Sequence, residues 1–188
     1  TRNTDRVLNA PTNEAWLDPW YTYLADRGVQ FQRGANVTSI ETRNGCISGV
    51  TYTRNGAVMR AGCPQDHFIL AVPLERAANL VSEDMLALAP ALRNIIKLAP
   101  NVEWMNGIQF YLNTEVNLNK GHTMYTGSNW ALTSISQKQF WPDYDLSRRG
   151  NGRVVSILSV DISNWEAPGN FNGKAARSCT KDEVQREV

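Results

Sequence analysis

Two Asn-Gly pairs, Asn44-Gly45 and Asn55-Gly56, constrain this chain more than any other feature. Asn and Gly both tolerate positive φ, so the pair suits the two-residue hairpin turn whose twist matches that of the flanking strands. Ahead of the first pair, Val37 to Thr42 alternates apolar and polar residues. Between the pairs runs Ile47 to Thr53, and Ala57 to Ala61 follows the second. Turns this close leave no room for a helix between them. The segment is expected to form a β-meander of three antiparallel strands.

Upstream, Trp16, Leu17, Trp20, Tyr23 and Leu24 recur at helical spacing. Asp18 followed by Pro19 predicts an N-cap with proline at the first helical position, and Gly28 sits where a helix-ending glycine belongs. The helix is amphipathic and is expected to pack its apolar face. Val29 to Phe31 then reads as a short strand. Beyond the meander, His67-Phe68-Ile69-Leu70-Ala71-Val72 is a largely apolar run ended by Pro73. Such a run matches a strand buried on both faces, as in a parallel sheet covered by helices. Leu74 to Val81 reads as the next helix. This order is that of a mixed α/β layer architecture.

From Ser82 to Leu98 the apolar spacing predicts one or two helices broken at Pro90, with Ser82 as a cap. Gly107 to Leu112, His122 to Thr126, Trp130 to Ile135 and Arg153 to Ile162 read as strands of a mixed sheet with long connections. Glu166 to Arg177 reads as a loop. Thr180 with Glu183 three positions later is a capping box opening a helix. Only two turns of it precede Val188, and so short a helix is marginal without more chain to pack against. Thr1-Arg2-Asn3-Thr4 carries no structural signal, so both ends read as cuts in a longer protein. The expected division is residues 1–81 and residues 82–188.

Composition narrows the function. The chain has 188 residues, 42% hydrophobic and 20% charged, which is globular. Lys+Arg is 19 and Asp+Glu 18, for a net charge of +1. Nucleic-acid binding, which wants a basic stripe, is not expected. Cys46, Cys63 and Cys179 show no CxxC spacing, and His67 and His122 stand apart, so a metal site is not expected either. The thiols read as reduced, and the lone sequon Asn36-Val37-Thr38 as coincidental. No apolar run reaches the ~20 residues that span a bilayer, so a transmembrane segment is not expected. Neither GxGxxG, GxxxxGK[ST], GxSxG nor HExxH occurs.

The residues also carry a resemblance. Gly28-Val29, the spacing Gly34, Val37, Ile40, then Asn44-Gly45, Gly49-Val50 and Asp66-His67-Phe68-Ile69-Leu70-Ala71-Val72-Pro73 resemble the middle of flavin-containing amine oxidases and phytoene desaturase-like enzymes. The second half, with Gly107 to Leu112, Gly121-His122, Trp130 to Thr133 and Gln139-Phe140-Trp141, is similar to the substrate side of bacterial carotenoid desaturases and hydroxysqualene dehydroxylases.

That resemblance implies an α/β to α+β fold. Residues 1–81 would be part of a glutathione reductase-like FAD-binding domain, and residues 82–188 a mixed-sheet substrate domain with helices. The implied enzyme is an FAD-dependent oxidoreductase moving hydride to or from an amine, carotenoid or squalenoid substrate. Val37, Ala71, Val72 and Pro73 are the implied cofactor residues. Gln109, Tyr111, Trp130 and Phe140 would line the substrate site, with Phe110, Tyr125 and Trp141 as further aromatic candidates. The phosphate-binding βαβ unit would lie in the remaining segments of the parent chain, and these residues alone are expected to hold FAD weakly or not at all. The implied location is cytoplasmic, and membrane-peripheral where the substrate is a lipid. The rival reading is a non-catalytic binding or assembly module that keeps the fold without flavin.

Overall fold

The computed structural model describes residues 7–116 and 118–188; Thr1-Arg2-Asn3-Thr4 lies outside them. Two compact units form, one from residues 30–103 and one from residues 1–29 with 104–188. The units fall at other positions than the expected boundary between residues 81 and 82.

In the first unit, β1 (Asn36–Arg43), β2 (Cys46–Arg54) and β3 (Ala57–Ala61) form an antiparallel sheet in the order β1-β2-β3. The turns are as the sequence demands. Asn44 and Gly45 have φ of 52° and 79°, and Asn55 and Gly56 have 50° and 79°. Arg60 of β3 fastens the sheet by reaching across β2. Its Nε donates to Glu41 of β1 at 2.6 Å, and its other nitrogens donate to the carbonyls of Ser48 and Gly62. The passage requires Gly49, where a Cβ would lie 2.6 Å from that guanidinium.

Three short helices complete this unit: α2 (Leu74–Leu80), α3 (Glu83–Leu88) and α4 (Arg93–Leu98), with a 3-10 turn at Pro90–Leu92. Ser82 caps α3 by accepting from Met85 N. Ala77, Met85 and Leu86 are buried.

The run from His67 to Val72 is the main correction here. It is not a strand, and Ile69 is 91% exposed. A doubly buried strand needs neighbours on both edges and covers on both faces. Among the described residues no strand pairs with this segment. Val29 to Phe31 likewise forms no strand.

The second unit is built on β4 (Asn106–Leu112), β5 (Thr123–Met124), β6 (Leu132–Ser136) and β7 (Ser156–Ile162), in the order β4-β7-β6-β5. Every pairing is antiparallel, so the expected mixed sheet is corrected, and the architecture is α+β. Strand alternation divides the side chains between two faces. On one face Trp130, Leu132, Val160, Ile162 and Ala176 make a core. Helix α5 (Lys181–Glu187) adds Val184 to it and opens with the expected capping box of Thr180 and Glu183. On the other face Trp141, Leu146, Val154 and Ile157 form a second cluster.

Helix α1 (Asp18–Ala25) belongs to this unit and corrects another expectation. Asp18 is helical, not a cap, because a π-helical stretch at Asn13–Leu17 precedes it. Trp16 and Trp20 stack with centroids 5.9 Å apart, a contact between positions i and i+4 that requires residue 16 to be helical already. Pro19 brings no N–H and crowds the carbonyl four residues back, so the turn before it widens and Asp18 N bonds Asn13 O. No residue of α1 is buried, contrary to the expected packing. Gly28, at φ 86°, ends the helix as expected, with Gly28 N bonding Ala25 O and Val29 N bonding Leu24 O.

Candidate functional site

Val37, Val72 and Pro73 line one cleft of about 580 Å³ in the meander unit. This lies inside the ~300–1,000 Å³ range usual for small-molecule sites. One wall is the start of β1, from Ala35 to Thr38; the other is the entry and first turns of α2. Pro73, Arg76 and Leu80 share a helical face, at three- and four-residue spacing. Ala71, the fourth expected cofactor residue, is exposed and does not line the cleft.

Among the described residues β1 has a single sheet neighbour, and a row of its main-chain N–H and C=O groups carries no ladder partner there. Register with β2 breaks between Val37 and Ser39, leaving Thr38 as a bulge whose hydroxyl donates to Thr51 O at 3.2 Å. The donor set fits the adenine end of a flavin nucleotide. Val37, Val72, Pro73 and Leu80 offer apolar surface, the free strand edge offers main-chain groups, and Asn36 and Asn79 offer amides.

The four expected substrate residues separate. Gln109 and Tyr111 share a pocket of about 400 Å³ with Glu14, Asp18, Trp141 and Arg149. Gln109 donates to Ser159 Oγ at 3.2 Å and accepts from the Tyr111 hydroxyl at 3.1 Å. Trp130 is a correction: at 0% exposure it is core, and its indole N–H is held by the carbonyls of Ala167 and Lys174. Phe140 packs half-buried against the Trp141 cluster and does not line the Gln109 pocket. Of the other aromatics, Phe110 and Tyr125 line a groove of about 650 Å³ on the opposite sheet face, floored by Leu132, Leu158 and Val160. It is mainly apolar and suits a ligand held by area and shape.

Sequence reading missed a polar cluster beside the Gln109 pocket. Tyr144 donates to Glu14 at 2.9 Å, and Arg149 binds both the Tyr144 hydroxyl and Glu14. The Tyr144 hydroxyl first, and the Glu14 charge after it, hold Arg149 more firmly protonated than usual. No local signal joins Glu14 to Tyr144, 130 positions away. Among the described residues, no cluster of three or more His, Cys, Asp or Glu side chains could hold a metal, and all three cysteines are free thiols. No described helix is long and apolar enough to cross a membrane.

No model of a known protein family matches the sequence, and no curated protein matches it significantly.

Proposed function

We propose that these residues belong to an FAD-dependent oxidoreductase, contributing an adenine-facing cleft and a substrate-side sheet. The observation that carries this reading is the meeting of Val37 with Val72 and Pro73 in one cleft at the free edge of β1. The resemblance implies Val37, Ala71, Val72 and Pro73 as cofactor residues, and three of these four line the cleft. Bound FAD would supply the hydride chemistry at flavin N5, as cofactors generally carry the difficult step. The chain's own residues would bind and exclude water. Val37 and Pro73 would cover the base, and the strand edge would read its polar rim. The phosphate loop absent from this sequence would come from other segments of the parent chain. On the substrate side, the groove over Phe110 and Leu158 suits an apolar substrate, and the Gln109–Tyr111 pocket offers hydrogen-bonding groups.

The test is flavin uptake. The 188-residue chain, and any longer natural chain that contains it as the parent, are each mixed with FAD, freed of unbound cofactor and scanned for flavin absorbance. A yellow parent, bleached by Val37→Asp, supports the reading. A parent that never retains flavin overturns it in favour of a binding module without cofactor.

A further inference from the structure

The Val37 cleft carries one charged side chain, Arg76, and no carboxylate lines it. Among the described residues, the Arg76 guanidinium makes no hydrogen bond or ion pair. Other arginines in the same unit are engaged: Arg54 donates to Gln32, and Arg60 binds Glu41 and two carbonyls. Arg43 and Arg93 of the same unit likewise make no side-chain hydrogen bond or ion pair, and of these three Arg76 is the one that lines the cleft, a planar donor whose five N–H groups are free for something outside the chain. Its position is fixed by the fold, three residues beyond Pro73 on the same helical face.

We infer that Arg76 is the anion-binding residue of this cleft and that its ligand is a phosphate-bearing adenine nucleotide rather than an uncharged nucleoside. The inference rests on the flavin reading and adds a residue and a ligand charge to it. Guanidinium groups meet phosphate through paired charge-assisted hydrogen bonds. A cleft with apolar walls, a free strand edge and a single unpaired cation matches a ligand that is apolar and planar at one end and anionic at the other.

The experiment titrates the intact chain with AMP and with adenosine by calorimetry, at low and high salt. AMP is expected to bind about tenfold tighter than adenosine, from one charge-assisted contact at a partly solvated site. Salt should erode that preference, because exposed charges are screened. Arg76→Gln should bring AMP down to the adenosine value and leave adenosine unchanged, while Arg76→Lys keeps part of the preference. Arg76 is exposed, so thermal unfolding of each variant should match the parent chain. Equal binding of AMP and adenosine, or AMP binding indifferent to Arg76→Gln, overturns the inference and leaves the flavin reading standing. Failure of both ligands to bind also overturns it. The flavin reading falls with it only if the longer chain fails to retain FAD.

Discussion

Trp141 donates its indole N–H to the main-chain oxygen of Leu8 at 2.8 Å, joining residues 133 positions apart. Trp141 is 6% exposed and sits in the cluster with Leu146, Val154 and Ile157. Trp141→Phe keeps a ring and leaves the Leu8 oxygen without its donor, a loss of about 1 kcal/mol. Trp141→Ala removes the packing as well, a loss of about 3–5 kcal/mol. Urea unfolding followed by circular dichroism should place the two variants in that order.

The glycines of the meander unit make an internal comparison. Gly56 has φ 79° and open space around it, so Gly56→Ala meets only the backbone penalty of about 1–2 kcal/mol. Gly62, at φ 87°, lies where a Cβ would come within 2.7 Å of the Phe68 ring. Gly62→Ala should therefore destabilise the chain more than Gly56→Ala, read as the difference in melting temperature.

Glu41 links stability to pH. Its hydrogen bond from Arg60, and then that from Thr51, hold the carboxyl below the usual carboxylate range. A depressed folded pKa means the contribution is present above the unfolded value and is lost as pH falls through the lowered one. Glu41→Gln should be the less stable protein at neutral pH and converge with the parent chain in acid. Urea midpoints measured across that range would show the convergence.

The capping box of α5 gives a further test. Thr180 accepts from Glu183 N, and Glu183 accepts from Thr180 N at 2.9 Å. Thr180→Ala should cost about 1 kcal/mol. Hydrogen exchange in residues 181–187 should rise before that of the β7 amides, because the cap holds only the helix.

Ile69→Asp separates the two accounts of the His67–Val72 run. With Ile69 at 91% exposure, the substitution should leave the stability of this chain within about 0.5 kcal/mol. A loss of several kcal/mol in thermal unfolding would mean that the segment is buried after all.

What was legible in the sequence was local. Asn44-Gly45 and Asn55-Gly56 specify their turns by backbone conformation, and Ser82 and Thr180 announce their helices through bonds three residues away. The His67–Val72 run misled because apolar content records a tendency to be buried and cannot say what does the burying. Trp130 misled for a related reason, since an aromatic beside a strand serves a core or a ligand equally well until the loop carbonyls that hold its N–H are known. The resemblance nominates Val37, Ala71, Val72 and Pro73 without saying which of them share a cleft, and both that grouping and Arg76 become visible only with α2 laid beside β1.

A sheet edge left without a neighbour can invite a second polypeptide to extend the ladder. β1 breaks register with β2 twice, between Val37 and Ser39 and again between Glu41 and Thr42. Each break twists the strand and spoils the straight, evenly spaced template that fibre growth requires. Straightening this edge, by deleting Thr38 for example, would therefore turn an irregular edge into a self-associating one.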